Sequence, residues 1–117
     1  MLRPERPTVS RLSDLAELTG GTASRDAEVT GVTVSSSDLV PGDMFVAIRG
    51  VNRHGAEFAA AAAANGASAI LTDAEGESIA EPAGLPVLVV PDPRGALPLV
   101  AQAVYRTADD IPLLLAT

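Results

Sequence analysis

Lysine and cysteine are both missing from this chain: its 8 basic side chains are all arginines (Arg3, Arg6, Arg11, Arg25, Arg49, Arg53, Arg94 and Arg106). Without lysine there is no phosphate-binding loop of the Gly-Lys-Ser/Thr type and no Schiff-base chemistry. Without cysteine there are no disulfides, zinc–thiolate sites or thiol nucleophiles. The single histidine, His54, excludes a multi-histidine metal site. Basic charge is scarce, and 15 acidic residues bring the formal net charge to −7. This argues against a general nucleic-acid binder, which needs a basic face to neutralise phosphates. No apolar run reaches the roughly 20 residues that span a bilayer. The segment Met1–Arg11 also lacks the apolar core of a signal peptide. The expectation is a soluble, cytoplasmic protein with no membrane or nucleic-acid partner.

What the chain does have is aliphatic residues. Hydrophobic residues make up 47% of it, aromatics only 3%, so a core must be built from Ala, Val, Leu and Ile. At 117 residues one domain is expected. Pro4 and Pro7 among charged neighbours mark residues 1–9 as a flexible arm. Ser10 reads as the N-cap of a helix carrying Leu12, Leu15, Ala16 and Leu18, and Gly20-Gly21 as its stop. Val29, Val32 and Val34 make one extended segment. Val40-Pro41-Gly42-Asp43 has the Pro-Gly centre of a type II turn. Met44–Ile48, Ser68–Leu71 and Val87–Val90 read as short buried strands. Ala56–Asn65 is a helix that Gly66 stops. Thr72–Pro86 reads as a connection. A last helix runs from about Arg94 to Arg106, its start delayed by Pro98. The predicted fold is α/β: a small Rossmann-like layer domain over residues 10–110, with a mixed, partly parallel sheet flanked by helices. Ile111–Leu115 reads as a fresh buried strand, either an edge of this domain or the lead into another.

Two segments invite a functional reading. Gly50-Val51-Asn52-Arg53-His54-Gly55 lies between a strand and a helix. It starts like a phosphate loop but continues Ala56-Glu57 instead of Lys-Ser/Thr. Backbone N–H groups at the helix start, aided by Arg53 and Arg49, suit an anion; from the pattern alone an ordinary turn with solvated arginines is the favoured reading. Ser35-Ser36-Ser37 follows a strand, and its hydroxyls suit the edge of an uncharged heterocycle such as uracil, or else cap a turn. His54 has no nucleophile pattern beside it and reads as polar surface. The acidic residues show no paired-carboxylate spacing. No catalytic or metal-binding residue is expected.

The run from Val29 to Gly50, centred on Pro41-Gly42-Asp43-Met44-Phe45-Val46-Ala47, carries a family resemblance. So do His54-Gly55-Ala56-Glu57-Phe58, Ala63–Leu71 and Val87–Tyr105. Over residues 10 to 117 the chain resembles the N-terminal, UDP-binding domain of the Mur ligases. It is most similar to the MurE group in its actinobacterial form, with the MurF group as the alternative. The resemblance implies that this domain holds the UDP end of UDP-MurNAc-L-Ala-D-Glu in peptidoglycan precursor synthesis. The full-length protein would be an ADP-forming ligase using ATP and magnesium to add diaminopimelate or lysine. The central and C-terminal domains that do so would be this domain's partners, and residues 111–117 would lead into the central one. Carried over residue by residue, the resemblance implies that Val34, Ser36, Val51, Asn52 and Arg53 contact the UDP portion, with Ser35, Ser37 and His54 as additional candidates. Ser35 and Ser37 stand where the family has Asp and Arg, and His54 where many members have Asp. The isolated chain would then bind without catalysing. A non-enzymatic interaction module, docking through the alanine-rich helix, is the reading from another class.

Overall fold

Four short runs rich in aliphatic and β-branched residues pair side by side, the central two buried on both faces, because buried backbone must be satisfied in a ladder. In the computed structural model, which describes residues 9–106, these are β4 (Gly31–Thr33), β5 (Asp43–Val46), β6 (Ala69–Thr72) and β7 (Val87–Val89). They lie in the spatial order β7-β6-β5-β4, all parallel. β2 (Thr22–Ala23) adds antiparallel to β7, completing a mixed five-stranded sheet. β1 (Ser10–Arg11) and β3 (Glu28–Val29) form a separate antiparallel pair. The α/β layer architecture and the mixed sheet are as expected. The arm over residues 1–9, apart from Val9, and the strand from Ile111 fall outside the described residues.

The alternation along each strand sends side chains to two cores. Met44, Val46, Ala69, Leu71, Leu88 and Val90 pack on one face with α1 (Leu12–Thr19) and α4 (Pro93–Arg106). Phe45, Ala47, Ile70 and Val87 pack on the other with a 3-10 turn (Gly55–Phe58), α2 (Ala59–Ala64) and α3 (Ala74–Ala80). Each large side chain so buried contributes about 1.5–3 kcal/mol. The second face uses Ala56, Ala59 and Ala62 as its helical stripe, so backbone approaches sheet closely around its one buried aromatic, Phe45.

Several expectations are corrected. Ser10 is not the cap of α1: it lies in β1, and the N-cap residue Arg11 makes no side-chain cap. Asp26 supplies it instead, accepting from Ser13 N at 2.9 Å. The segment Val29–Val34 is two strands, because Thr30 N–H turns to Gly42 O at 3.0 Å and breaks the run. The connection Thr72–Pro86 contains α3, capped by Asp73, and a 3-10 turn (Glu81–Ala83). Pro98 does not delay α4, which starts at Pro93; it sits inside the helix and removes one intrahelical bond.

The turn between β4 and β5 forms as expected. Asp43 N–H reaches Val40 O at 3.1 Å, and Gly42 has φ +96°. The Asp43 carboxylate folds back to accept from Val40 N at 3.0 Å. That explains Gly31, where a Cβ would stand 2.2 Å from Asp43 Oδ1.

Among the described residues β4 is an edge strand, and its open side is met by one side chain. The Tyr105 hydroxyl accepts from Val32 N at 2.8 Å and donates to Val32 O at 3.2 Å, standing in for a neighbouring strand. Tyr105→Phe should therefore cost about 1 kcal/mol in chemical denaturation and speed amide exchange at Val32. Unchanged stability and exchange would mean that water closes this edge equally well.

Candidate functional site

Parallel neighbours are ordinarily joined through a dozen or more residues including a helix. β4 and β5 are joined only by residues 34–42, too short to lay a helix over the sheet. The carboxyl ends of these strands therefore stay uncovered, and an open cavity of about 360 Å³ forms there. Val34, Ser35, Ser36 and Ser37 line one side; Phe45, Val46, Ile48, Gly55 and Phe58 complete it. Val34 is 56% and Phe58 42% exposed, so two apolar walls stand ready for a flat, uncharged group.

The serine loop is fixed by its own bonds. Leu39 is buried in the second core and anchors it. Asn65 Nδ2, at the end of α2, donates to Ser36 O at 2.8 Å. Ser35 Oγ accepts from Asp38 N at 3.2 Å and donates to Asp38 Oδ2 at 3.3 Å. Ser37 Oγ lies 3.2 Å from Ser35 Oγ. Two of the three hydroxyls are thus occupied in holding the turn. Ser36 Oγ has no hydrogen bond among the described residues, leaving it open to the cavity it lines.

Val51, Asn52 and Arg53 do not line that cavity. They form the exposed tip of a small hairpin closed by Gly50 N–H to Arg53 O at 2.9 Å and Gly55 N–H to Ile48 O at 3.0 Å. Gly55 is required here, since a Cβ would approach Ile48 N to 2.9 Å. Arg53 reaches back toward the cavity wall: its guanidinium lies 5.8 Å from the Phe58 ring centroid, and Nε is 3.8 Å from Glu57 Oε1. The structure therefore brings Val34, Ser35, Ser36 and Ser37 together and sets Val51–Arg53 beside them on a separate loop. Phe58 is a wall of the cavity that was not among the expected site residues. The available signal was its position three residues after Gly55 in a chain with 2 phenylalanines.

His54 is not polar surface. It is 3% exposed. Nδ1 accepts from Ala56 N at 3.0 Å, capping the 3-10 turn, and Nε2 lies 2.8 Å from Asp73 Oδ1. One neutral tautomer, protonated at Nε2, satisfies both partners. His54, Asp73 and Glu75 bring ligand-type atoms within 4.8 Å of one another. Both imidazole nitrogens are engaged and Glu75 pairs with Arg49, so these groups satisfy each other and argue for no metal.

Burial alone would raise the Asp73 carboxyl. Hydrogen bonds from Gly76 N–H at 2.8 Å and from His54 outweigh it and hold the group below its ordinary value. An unstructured Asp titrates near pH 3.9. The carboxylate thus stabilises the fold fully above about pH 4 and loses that contribution as pH falls through its lower folded value. Asp73→Asn should be less stable at pH 7 in urea titrations. Its stability should also decline less steeply between about pH 4.5 and 2.5. Parallel acid limbs for variant and parent would separate Asp73 from the acid response.

Comparison with known proteins agrees with this architecture. A family profile described as "Mur ligase family, catalytic domain" matches residues 28–105. The UDP-N-acetylmuramoyl-L-alanyl-D-glutamate–2,6-diaminopimelate ligase of Streptomyces avermitilis is 47% identical over 106 residues, covering 87% of this chain and 21% of the relative. The UDP-N-acetylmuramyl-tripeptide synthetase of Leifsonia xyli subsp. xyli is 47% identical over 116 residues, covering 97% of this chain and 23% of the relative. This chain thus spans less than a quarter of the length of these relatives. Among solved structures, a crystal structure of MurF from Acinetobacter baumannii superposes with a TM-score of 0.58 at 25% identity, over 78% of this chain and 20% of that one. With a profile matching most of its length and relatives of this identity across nearly all of it, the chain belongs to the Mur ligase family.

Proposed function

We propose that this chain is the N-terminal, nucleotide-holding domain of a MurE-type ligase, and that it grips the UDP end of UDP-MurNAc-L-Ala-D-Glu. The observation that carries this reading is the cavity at the carboxyl ends of β4 and β5. It has an apolar wall on either side and one unengaged hydroxyl, Ser36, among its lining residues. Those features suit a uracil ring, which is flat, uncharged and edged with hydrogen-bonding groups. Val34 supplies apolar contact and Ser36 a polar one. Val51, Asn52 and Arg53, on the adjoining loop, meet the diphosphate. Arg53 is the charge-bearing group there, and it exchanges an exposed carboxylate, Glu57, for phosphate oxygens. Ser35, Ser37 and His54 act by holding these loops in place.

The relatives' names supply the rest of the substrate: a UDP-N-acetylmuramoyl peptide. The named diaminopimelate ligases favour diaminopimelate as the added residue. MurF structures share the fold at lower identity, which keeps a MurF-type role as the second reading. In the complete ligase, ATP and magnesium would drive formation of an acyl phosphate for amine attack. This chain's residues do not fit that task, since it has no lysine and no Gly-Lys-Ser/Thr loop. Activation therefore falls to the central domain, and this chain binds and orients. Peptidoglycan precursor ligation of this kind assigns the protein to the cytoplasm, and no helix among the described residues is long and apolar enough to cross a membrane.

Titrating UDP onto the chain should shift the amides of Val34–Ser37 and Val51–Ala56 in ¹H–¹⁵N spectra. Arg53→Ala should weaken binding by about 1.5–3 kcal/mol, the worth of a hydrogen bond to a charged group. Spectra unmoved at millimolar UDP would refute the assignment.

A further inference from the structure

We propose that His54 is the positioning residue of the phosphate-side loop. Its ring hangs the exposed hairpin Arg49–Arg53 on the first turn of α3 through Asp73, and so sets where Arg53 meets the diphosphate. This rests on the UDP reading given above.

The hairpin has little else to hold it. Its internal bonds, Gly50 N–H to Arg53 O and Gly55 N–H to Ile48 O, close it on itself. At its tip Val51 is 99% exposed, packing on nothing. Besides the exposed contacts of Arg53 with Glu57 and Phe58, two side-chain tethers tie it to the body, and both end on the same short stretch of chain at the start of α3. Arg49 pairs with Glu75, an exposed ion pair of small worth. His54, which leads out of the hairpin, is buried and bonds to Asp73 at 2.8 Å.

Asp73 is itself fixed. It caps α3 through Gly76 N–H at 2.8 Å. The preceding residue, Thr72, is fully buried and donates from Oγ1 to Ala47 O at 3.0 Å, returning the linkage to the end of β5. The ring is enclosed as tightly on its far side: a Cβ at Gly76 would lie 2.7 Å from His54 Cε1 and 2.0 Å from Thr72 Oγ1. The chain of contacts Ala47–Thr72–Asp73–His54 thus spans the root of the hairpin. The imidazole's two nitrogens divide the work: Nδ1 fixes the turn that carries Phe58, and Nε2 fixes the loop that carries Arg53.

Two substitutions separate these nitrogens. His54→Asn places an amide oxygen near the Nδ1 position, keeping the acceptor for Ala56 N–H and losing the reach to Asp73. His54→Gln places an amide N–H near Nε2 and restores the donor to Asp73. Affinities for uridine and for UDP are measured by titration calorimetry on parent and variants, with thermal melts to confirm folding. His54→Asn should bind UDP about ten- to a hundredfold more weakly and uridine as the parent does, and His54→Gln should recover most of the UDP affinity. Asp73→Asn, which keeps the geometry and removes the charge-assisted acceptor, should lose UDP affinity in the same direction as His54→Asn. Folded variants that bind UDP like the parent, or that lose uridine and UDP in equal proportion, would overturn the proposal and leave the UDP site intact. A parent chain that binds neither ligand would overturn the site and this inference together.

Discussion

The short connection between β4 and β5 is the constraint on which the rest of this structure depends. Residues 34–42 have to turn the chain from the end of one parallel strand to the start of the next without a helix. Pro41 presets one dihedral and Gly42 takes the positive φ. The Asp43 carboxylate binds Val40 N–H, which leaves no room for a side chain at Gly31. Gly66 then fits against Pro41, where a Cβ would lie 2.9 Å from Pro41 Cα, and its carbonyl accepts from Gly42 N–H at 3.0 Å. Three glycines and one aspartate are thus committed to a single turn. Its consequence is functional: with no helix over the ends of β4 and β5, the sheet presents an open cavity there, as α/β sheets do wherever their carboxyl ends are left bare.

How much of this was legible in the sequence depends on how far apart the interacting residues lie. The Pro41-Gly42-Asp43 turn, the glycine stop at Gly20 and the buried strands around Met44 and Ile70 are written in local chemistry, and they form as read. The failures are long-range. The cap of α1 comes from Asp26, thirteen residues from its target Ser13, so the nearby Ser10 misled. The burial of His54 comes from Asp73, nineteen residues on, and no local pattern marks a histidine for that partner. α3 hides in a polar stretch because its helical character comes from the Asp73 cap and from Gly76 packing against Thr72 and His54, not from an apolar stripe. In the site itself, the serine loop was visible as a cluster. Which of its three hydroxyls stays unengaged followed only from how Ser35 pairs with Asp38 and Ser37.

On the proposed reading, a chain of net −7 has to face an anionic ligand, and the pairing of its carboxylates is what would allow it. The carboxylates around the site are engaged: Asp38 by Ser35, Asp73 by Gly76 and His54, Glu57 by Arg53, Glu75 by Arg49. They differ in what it takes to release them. The two arginine pairs are exposed, and such pairs are worth about 0–1 kcal/mol, so a phosphate can take the guanidinium at little cost. The His54–Asp73 bond involves a histidine 3% exposed, and leaving either partner unsatisfied costs about 1–3 kcal/mol or more.

That difference divides the site into a rim that can exchange partners and a frame that cannot. Arg49 and Arg53 sit on the rim, held by ion pairs that solvent already weakens. His54, Asp73, Thr72 and Gly76 make the frame, with both imidazole nitrogens, Asp73 Oδ1 and Thr72 Oγ1 engaged and a glycine where a methyl group would not fit. On that reading, a nucleotide diphosphate would break the rim pairs at little cost and find the frame already ordered. The ordering cost of ligand binding is thereby carried by folding, before the ligand arrives. On the proposed reading, in which the chain presents a nucleotide to chemistry performed elsewhere, this arrangement would fix position through the frame and leave affinity to the rim.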